Sequence, residues 1–145
     1  MNVEMWQKVF REGFAPQLSI KCLEALRDAL VNDDPRLIQG STTTPPPLQC
    51  VQDWPVEAGC AIGYCGAIHH GGIGVATVGD SKEFFARLCF ECDKLLGEPA
   101  GCRHFLNWFD STPRDEVRSF LLEEVYSILS ERQRLECGPT HIVKI

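Results

Sequence analysis

The sequence predicts a mainly α-helical domain, a compact bundle of about five or six helices with one minor two-stranded β element. Apolar residues recur at helical spacing in four long segments, and each segment carries a start or stop signal. Alternation typical of a strand is confined to two short stretches, 73–78 and 140–145. The chain has 145 residues, a length that suits one core, so we expect residues 1–145 to form a single domain.

Two helices are predicted near the N-terminus. The first runs from about Asn2 to Phe10 with one apolar side, and Gly13 is placed to end it. The second runs from about Pro16 to Asn32, where apolar residues form a continuous stripe. Pro35 prevents this helix from extending much further, because a proline disfavours helical geometry at the residue before it.

A long loop rich in Pro and Thr is predicted for residues 36–54. Within it, three consecutive threonines are followed by Pro45, Pro46 and Pro47, a composition that favours extended or polyproline geometry. Loops of this length are uncommon in compact domains, and those that occur are often binding segments. The prolines make the segment stiff, so we expect it to lie across the domain.

A third helix is predicted to begin at Pro55, because proline suits the first helical position. Its interior is rich in glycine and alanine, which would allow close approach to a neighbouring helix. The glycine-rich segment from His69 to Gly72 reads as a loop that leads into the strand at 73–78. That strand could pair with 140–145, and the pair would need a helix beneath it because two strands alone are marginal.

The strongest helical signals lie in the C-terminal half. Residues 80–96 combine an apolar stripe with Gly97 in the closing position. Residues 99–110 begin at a proline and hold much of the aromatic content. The last long helix is predicted for residues 113–135, with Gly138-Pro139 as its stop signal.

Charge and composition exclude several classes of partner. The net charge is −6 and the fourteen Lys and Arg residues are scattered, so neither nucleic acid nor an acidic membrane surface is an expected partner. The stretch from Ala58 to Gly79 lacks charged residues, but its seven glycines and two histidines argue against a membrane span. The first residues do not resemble a secretory signal, and we therefore expect a cytoplasmic protein.

Eight cysteines raise the question of thiol chemistry. In a reducing compartment they are expected to be free thiols that fill the core. Cysteine and histidine nevertheless recur at spacings that could serve a metal or redox site, although no zinc signature is matched. A thiol-based metal-binding or redox protein is therefore the alternative function, with candidate ligands Cys60, Cys65, His69, His70, Cys89 and Cys92.

The preferred hypothesis is a non-catalytic module that binds another protein or regulates it. The sequence contains neither a phosphate-binding glycine motif nor a nucleophile elbow, so no catalytic residue and no cofactor are assigned. A small-molecule enzyme of unknown class is the second alternative. The long loop supplies most of the candidate contacts, and an aromatic residue on the polar side of the 80–96 helix supplies another. The partner-binding candidates are Thr43, Pro45, Pro46, Pro47, Leu48, Trp54 and Phe90.

Overall fold

The computed structural model describes the backbone of residues 4–144 and the side chains of residues 4–135. Within these residues the chain forms six α-helices and one two-stranded antiparallel sheet, which confirms the predicted fold class. The helices are α1 (Met5–Val9), α2 (Ile20–Val31), α3 (Ala61–His69), α4 (Val78–Leu96), α5 (Arg103–Ser111) and α6 (Arg114–Lys144). The strands are β1 (Thr43–Thr44) and β2 (Ala58–Gly59).

The first helical segment is longer than predicted. Helix α1 continues directly into a π-helical turn, Phe10–Phe14, and a 3-10 turn, Ala15–Gln17. Gly13 therefore lies inside the helical path and does not end it. A methyl group at Gly13 would overlap the sulfur of Cys92 in α4, so close packing between the two segments requires glycine at this position. The expected start at Asn2 lies outside the described residues.

Helix α2 begins at Ile20, four residues after the predicted start at Pro16. The reason is local, because the Ser19 side chain accepts a hydrogen bond from the backbone N–H of Cys22 at 3.1 Å and so caps the helix. The helix ends at Val31, close to the predicted end.

The third helix begins at Ala61, so the start predicted at Pro55 is wrong. Pro55 instead forms a single bridge with Thr77, and the chain stays extended through β2. Cys60 caps α3, since its sulfur accepts the backbone N–H of Gly63 at 3.3 Å. Strand pairing thus prevents the helix from starting where proline alone would allow it.

The two-stranded element exists, but the predicted strands at 73–78 and 140–145 do not form it. The loop at 36–54 contributes β1, which pairs with β2 in register Thr43 to Gly59. The segment at 73–78 turns because the glycines around it adopt left-handed φ angles, as Gly74 does at +88°. Residues 140–144 continue α6, and Ile145 lies outside the described residues.

The C-terminal helices follow the prediction with shifted ends. Helix α4 begins at Val78, capped by Thr77, and closes at Gly97 with φ of +68° as expected. Helix α5 begins at Arg103, a turn later than expected. Helix α6 continues past the predicted end at 135 to Lys144, because the Gly138-Pro139 pair lowers helical propensity without imposing a break.

One core joins all six helices, and buried polar contacts fix their register. At one edge the Trp6 and Trp108 rings stack in parallel, with centroids 3.6 Å apart. Glu124 of α6 is almost fully buried and accepts from the Arg11 guanidinium at 2.7 Å. Nearer the start of α6, Arg118 donates to the Leu30 carbonyl at the end of α2, which satisfies an acceptor that the helix leaves unpaired.

Candidate functional site

A pocket of about 300 Å³ lies between the loop of residues 40–47 and helices α3, α4 and α5. Its walls are apolar and include Phe85 and Leu106, which are both half-buried. Its polar rim includes the exposed carboxylate of Asp110. This volume lies at the lower end of the range of small-ligand pockets, so the pocket could receive one or two side chains or a small molecule.

The loop that covers the pocket is held tightly against α3. The backbone N–H of Cys60 donates to the Thr42 carbonyl at 3.1 Å. Thr43 is fully buried, and its hydroxyl donates to the Pro45 carbonyl at 2.7 Å. A methyl group at Gly63 would overlap the Thr42 carbonyl, so glycine at this position of α3 permits the contact.

A second set of hydrogen bonds ties the loop to the end of α5. The amide of Gln39 donates to the carbonyls of Phe109 and Thr112, each at 2.7 Å. The backbone N–H of Gly40 donates to the Asp110 carboxylate at 2.9 Å. The loop is therefore ordered before any ligand binds, which reduces the conformational entropy lost on association.

Cys60 is the thiol that reaches the pocket. Burial raises its pKa to about 11, and the N–H of Gly63 offsets this effect only in part. The thiol is therefore protonated at neutral pH, a state in which cysteine is a poor nucleophile. No histidine is among the described residues that line the pocket.

The structure separates the predicted partner-binding residues of the loop into two groups. Thr43 is buried and serves to hold the loop, so its side chain is not on the surface. Pro47 lines the pocket, and Pro45 is half-buried. Pro46 is exposed, and so is Leu48, whose relative solvent exposure is 59%. Pro46 and Leu48 are thus exposed on either side of Pro47 in the chain, and Pro47 itself lines the pocket.

Trp54 and Phe90 lie apart from each other. Trp54 is 55% exposed, and its carbonyl accepts from the N–H of Val78 at the start of α4. Phe90 is 64% exposed and lies about 18 Å farther along the α4 axis. Relative to Phe85 of the pocket, Phe90 is rotated by about 140° around the helix. The seven candidates therefore do not form one surface.

The six candidate metal ligands are also dispersed. Cys60 caps the first turn of α3, whereas His69 and His70 lie at its other end, about 13 Å away. Cys65 is fully buried between them and faces the backbone of Cys22. In the part of the chain that the structure describes, no three His, Cys, Asp or Glu side chains are arranged to hold a metal ion.

Cys89 and Cys92 also lie in different surroundings. Cys92 is fully buried beneath the Phe10–Phe14 turn, and burial raises its pKa to about 12. Cys89 is half-buried, and its thiol lies near that of Cys102 at the start of α5. Burial raises the pKa of both thiols in this pair. The seven cysteines in the described residues are free thiols.

Sequence reasoning did not identify the pocket residues Phe85, Leu106 and Asp110. In the sequence, Phe85 and Leu106 look like the other apolar residues of their helices, and only tertiary packing shows that they line the pocket. Asp110 carried a usable signal, because an acidic residue in the last turn of a helix opposes the helix dipole. No sequence signal pointed to the proximity of Cys89 and Cys102, because Cys89 lies in α4 and Cys102 lies at the start of α5.

Comparison of the chain with protein-family models, with curated proteins and with solved structures finds no match. None of the helices in the described residues is long and apolar enough to cross a membrane.

Proposed function

We propose that this protein is a non-catalytic interaction module that binds a partner protein through the loop-covered pocket. The pocket together with Pro46, Pro47 and Leu48 makes up the pocket face. The observation that carries the proposal is the ordered loop above a pocket of about 300 Å³. A rigid receptor of this kind loses little conformational entropy when a partner side chain enters it.

The exposed residues beside the pocket support this assignment. Leu48 is 59% exposed, and Pro46, two residues earlier in the chain, is also exposed. Neither side chain contributes to the core, so each is available to a partner. Interface energy is concentrated in a few central anchors with near-neutral contacts around them. Leu48 is exposed one residue after Pro47, which lines the pocket, and together with the pocket it provides that arrangement.

The chemistry of the pocket favours binding over covalent catalysis. A cysteine nucleophile acts as a thiolate, usually with a neighbouring base that removes its proton. Burial keeps Cys60 protonated, and the nearby Asp110 carboxylate adds to that effect. The free thiols support a reducing compartment such as the cytoplasm, and the net charge of −6 favours a protein partner over nucleic acid.

Affinity capture from a lysate of the source cells tests the proposal. Wild type is compared with Leu48→Ala and Pro46→Ala on the pocket face, and with Phe90→Ala on the opposite side of α4. Phe120→Ala, at an exposed aromatic residue of α6, is the matched control. Each variant must keep the melting temperature of wild type, so that a loss of binding is not a loss of folding.

We expect the same protein to be recovered with wild type and Phe120→Ala, and its recovery to fall with Leu48→Ala and Pro46→Ala. A fall with Phe90→Ala alone would move the interface to the C-terminal half of α4. Equal recovery with all four variants would contradict the proposal.

A further inference from the structure

We infer that the pocket receives a basic side chain of the partner, a lysine or an arginine, whose charge pairs with Asp110. This inference rests on the proposed function, because it names the group that the pocket face recognises. Three features of the pocket carry it: a carboxylate without a basic partner among residues 4–135, an adjacent negative helix end and an apolar wall. None of these features involves Leu48, so this inference and the proposed function can be tested with different variants.

The carboxylate of Asp110 lacks a charged partner. One oxygen accepts the backbone N–H of Gly40 at 2.9 Å. Among residues 4–135, no basic side chain forms a salt bridge with it. Asp110 also lies in the last turn of α5, where the helix dipole is negative. A cation bound here would pair with the carboxylate and offset its repulsion by the negative end of the helix.

The pocket walls suit the hydrocarbon stem of such a side chain. Phe85 and Leu106 are half-buried and so expose apolar surface, while Phe105 and Phe109 form the floor. Lysine and arginine bury their methylene groups against apolar surface and keep the charged end toward a polar rim. Aromatic rings add attraction for a cation at the same site.

Other side chains fit this pocket less well. An acidic side chain would be repelled by Asp110 and by the net charge of −6. An apolar side chain would cover the carboxylate without offering it a partner, which costs free energy. The N-terminus of α3 also faces the pocket, but the Cys60 sulfur already accepts the N–H of Gly63 there.

The test is an NMR titration of the full chain with three probes: the N-acetyl methylamides of lysine, norleucine and glutamate. Lysine and norleucine share a stem and differ in charge, which isolates the role of the cation. Backbone amides of Gly40, Ile62 and Leu106 report on the pocket. We expect saturable shifts with lysine, a weaker effect with norleucine and none with glutamate.

The variant Asp110→Asn keeps an acceptor for Gly40 and removes the charge. Because the carboxylate is exposed, we expect lysine affinity to fall about two- to fivefold. Asp115→Asn, which removes an exposed charge from α6, is the matched control and should leave affinity unchanged. Equal binding of lysine and norleucine, absence of saturable shifts with lysine, or equal effects of the two variants would each overturn the inference.

The same variant separates failure of the inference from failure of the proposed function. If capture of the partner depends on Leu48 but not on Asp110, the pocket face binds a partner, and the inference that the pocket receives a basic side chain is wrong. If no captured protein depends on Leu48 or Pro46, the proposed function fails, and the lysine titration still decides the chemistry of the pocket.

Discussion

The cysteine side chains differ widely in solvent exposure and in the pKa of their thiols. Cys50 is exposed in the loop, whereas Cys60 and Cys92 are buried with raised pKa values of about 11 and about 12. For Cys60, only about one molecule in a thousand carries a thiolate at pH 8. Burial therefore limits both access of a reagent and the concentration of the reactive form.

These differences predict the order of alkylation. In native protein treated with iodoacetamide at pH 8, we expect Cys50 to react first, while Cys60 and Cys92 react more slowly by at least about a hundredfold. Peptide mapping by mass spectrometry over time gives the rates, and denatured protein serves as the control. Modification of Cys60 as fast as Cys50 would show an activated thiol and would favour an enzyme.

The metal and redox alternative has its own measurement. We expect eight free thiols in denatured, unreduced protein and no stoichiometric transition metal in the purified chain, because the candidate ligands lie in separate parts of the fold. Thiol counting and elemental analysis measure both quantities. About one equivalent of zinc, lost in Cys89→Ser or Cys92→Ser, would support the alternative.

At the scale of elements, the packing of the Phe10–Phe14 turn on α4 depends on one glycine. Gly13→Ala would press a methyl group against the Cys92 sulfur, and we expect it to lower the free energy of unfolding by about 1–3 kcal/mol. Removing the sulfur in Cys92→Ala should relieve the overlap, so the double variant should lose less than the sum of the single losses. Urea unfolding measures the four free energies, and additive losses would show that the two residues do not interact.

The turn between α4 and α5 predicts a dependence of stability on pH. Asp93 accepts the backbone N–H groups of Ala100 and Cys102, each at 2.9 Å. Burial raises the pKa of Asp93, but these hydrogen bonds outweigh burial and hold the pKa below its ordinary value. A carboxylate with a lowered pKa stabilises the fold above its unfolded pKa, and this contribution is lost as pH falls through the folded pKa.

We therefore expect the urea midpoint to decrease as the pH is lowered from about 5 to about 2. In Asp93→Asn, the slope of urea midpoint against pH should be smaller. Asp33 pairs with Arg114, and Asp34 pairs with Arg36; both carboxylates also have lowered pKa values. They should preserve part of the slope in the variant. An unchanged slope in Asp93→Asn would contradict the assigned role of this carboxylate.

Local signals decided which elements were predicted correctly. The α4 helix was found because its apolar stripe and its closing residue Gly97 lie within one continuous segment. Pro55 was a valid local signal for a helix start, but pairing between β1 and β2 kept the chain extended there. The composition of residues 140–145 suggested a strand, and α6 continues through it to Lys144. Long-range pairing and continuation of a neighbouring helix are not visible in composition.

At the scale of the molecule, the pocket is a product of topology. Its rim and walls come from Gly40, Ile62, Phe85 and Asp110, which are far apart in sequence. The composition of the loop predicted a stiff segment, and residues of this loop line the pocket. It could not show that Thr43 points inward, because that depends on its pairing with Gly59 in a sheet formed by tertiary contact.

The most direct test of the central claim is photo-crosslinking from the pocket face. Benzoylphenylalanine replaces Leu48 in one protein and Phe120 in another, two exposed positions on different sides of the fold. Each protein is irradiated in a lysate of the source cells, and the crosslinked species are identified by mass spectrometry. The proposed function predicts one dominant partner crosslinked from position 48, reduced by excess unlabelled wild type, and not crosslinked from position 120. Crosslinks from position 120 alone, or equal and non-competable crosslinks from both positions, would contradict it.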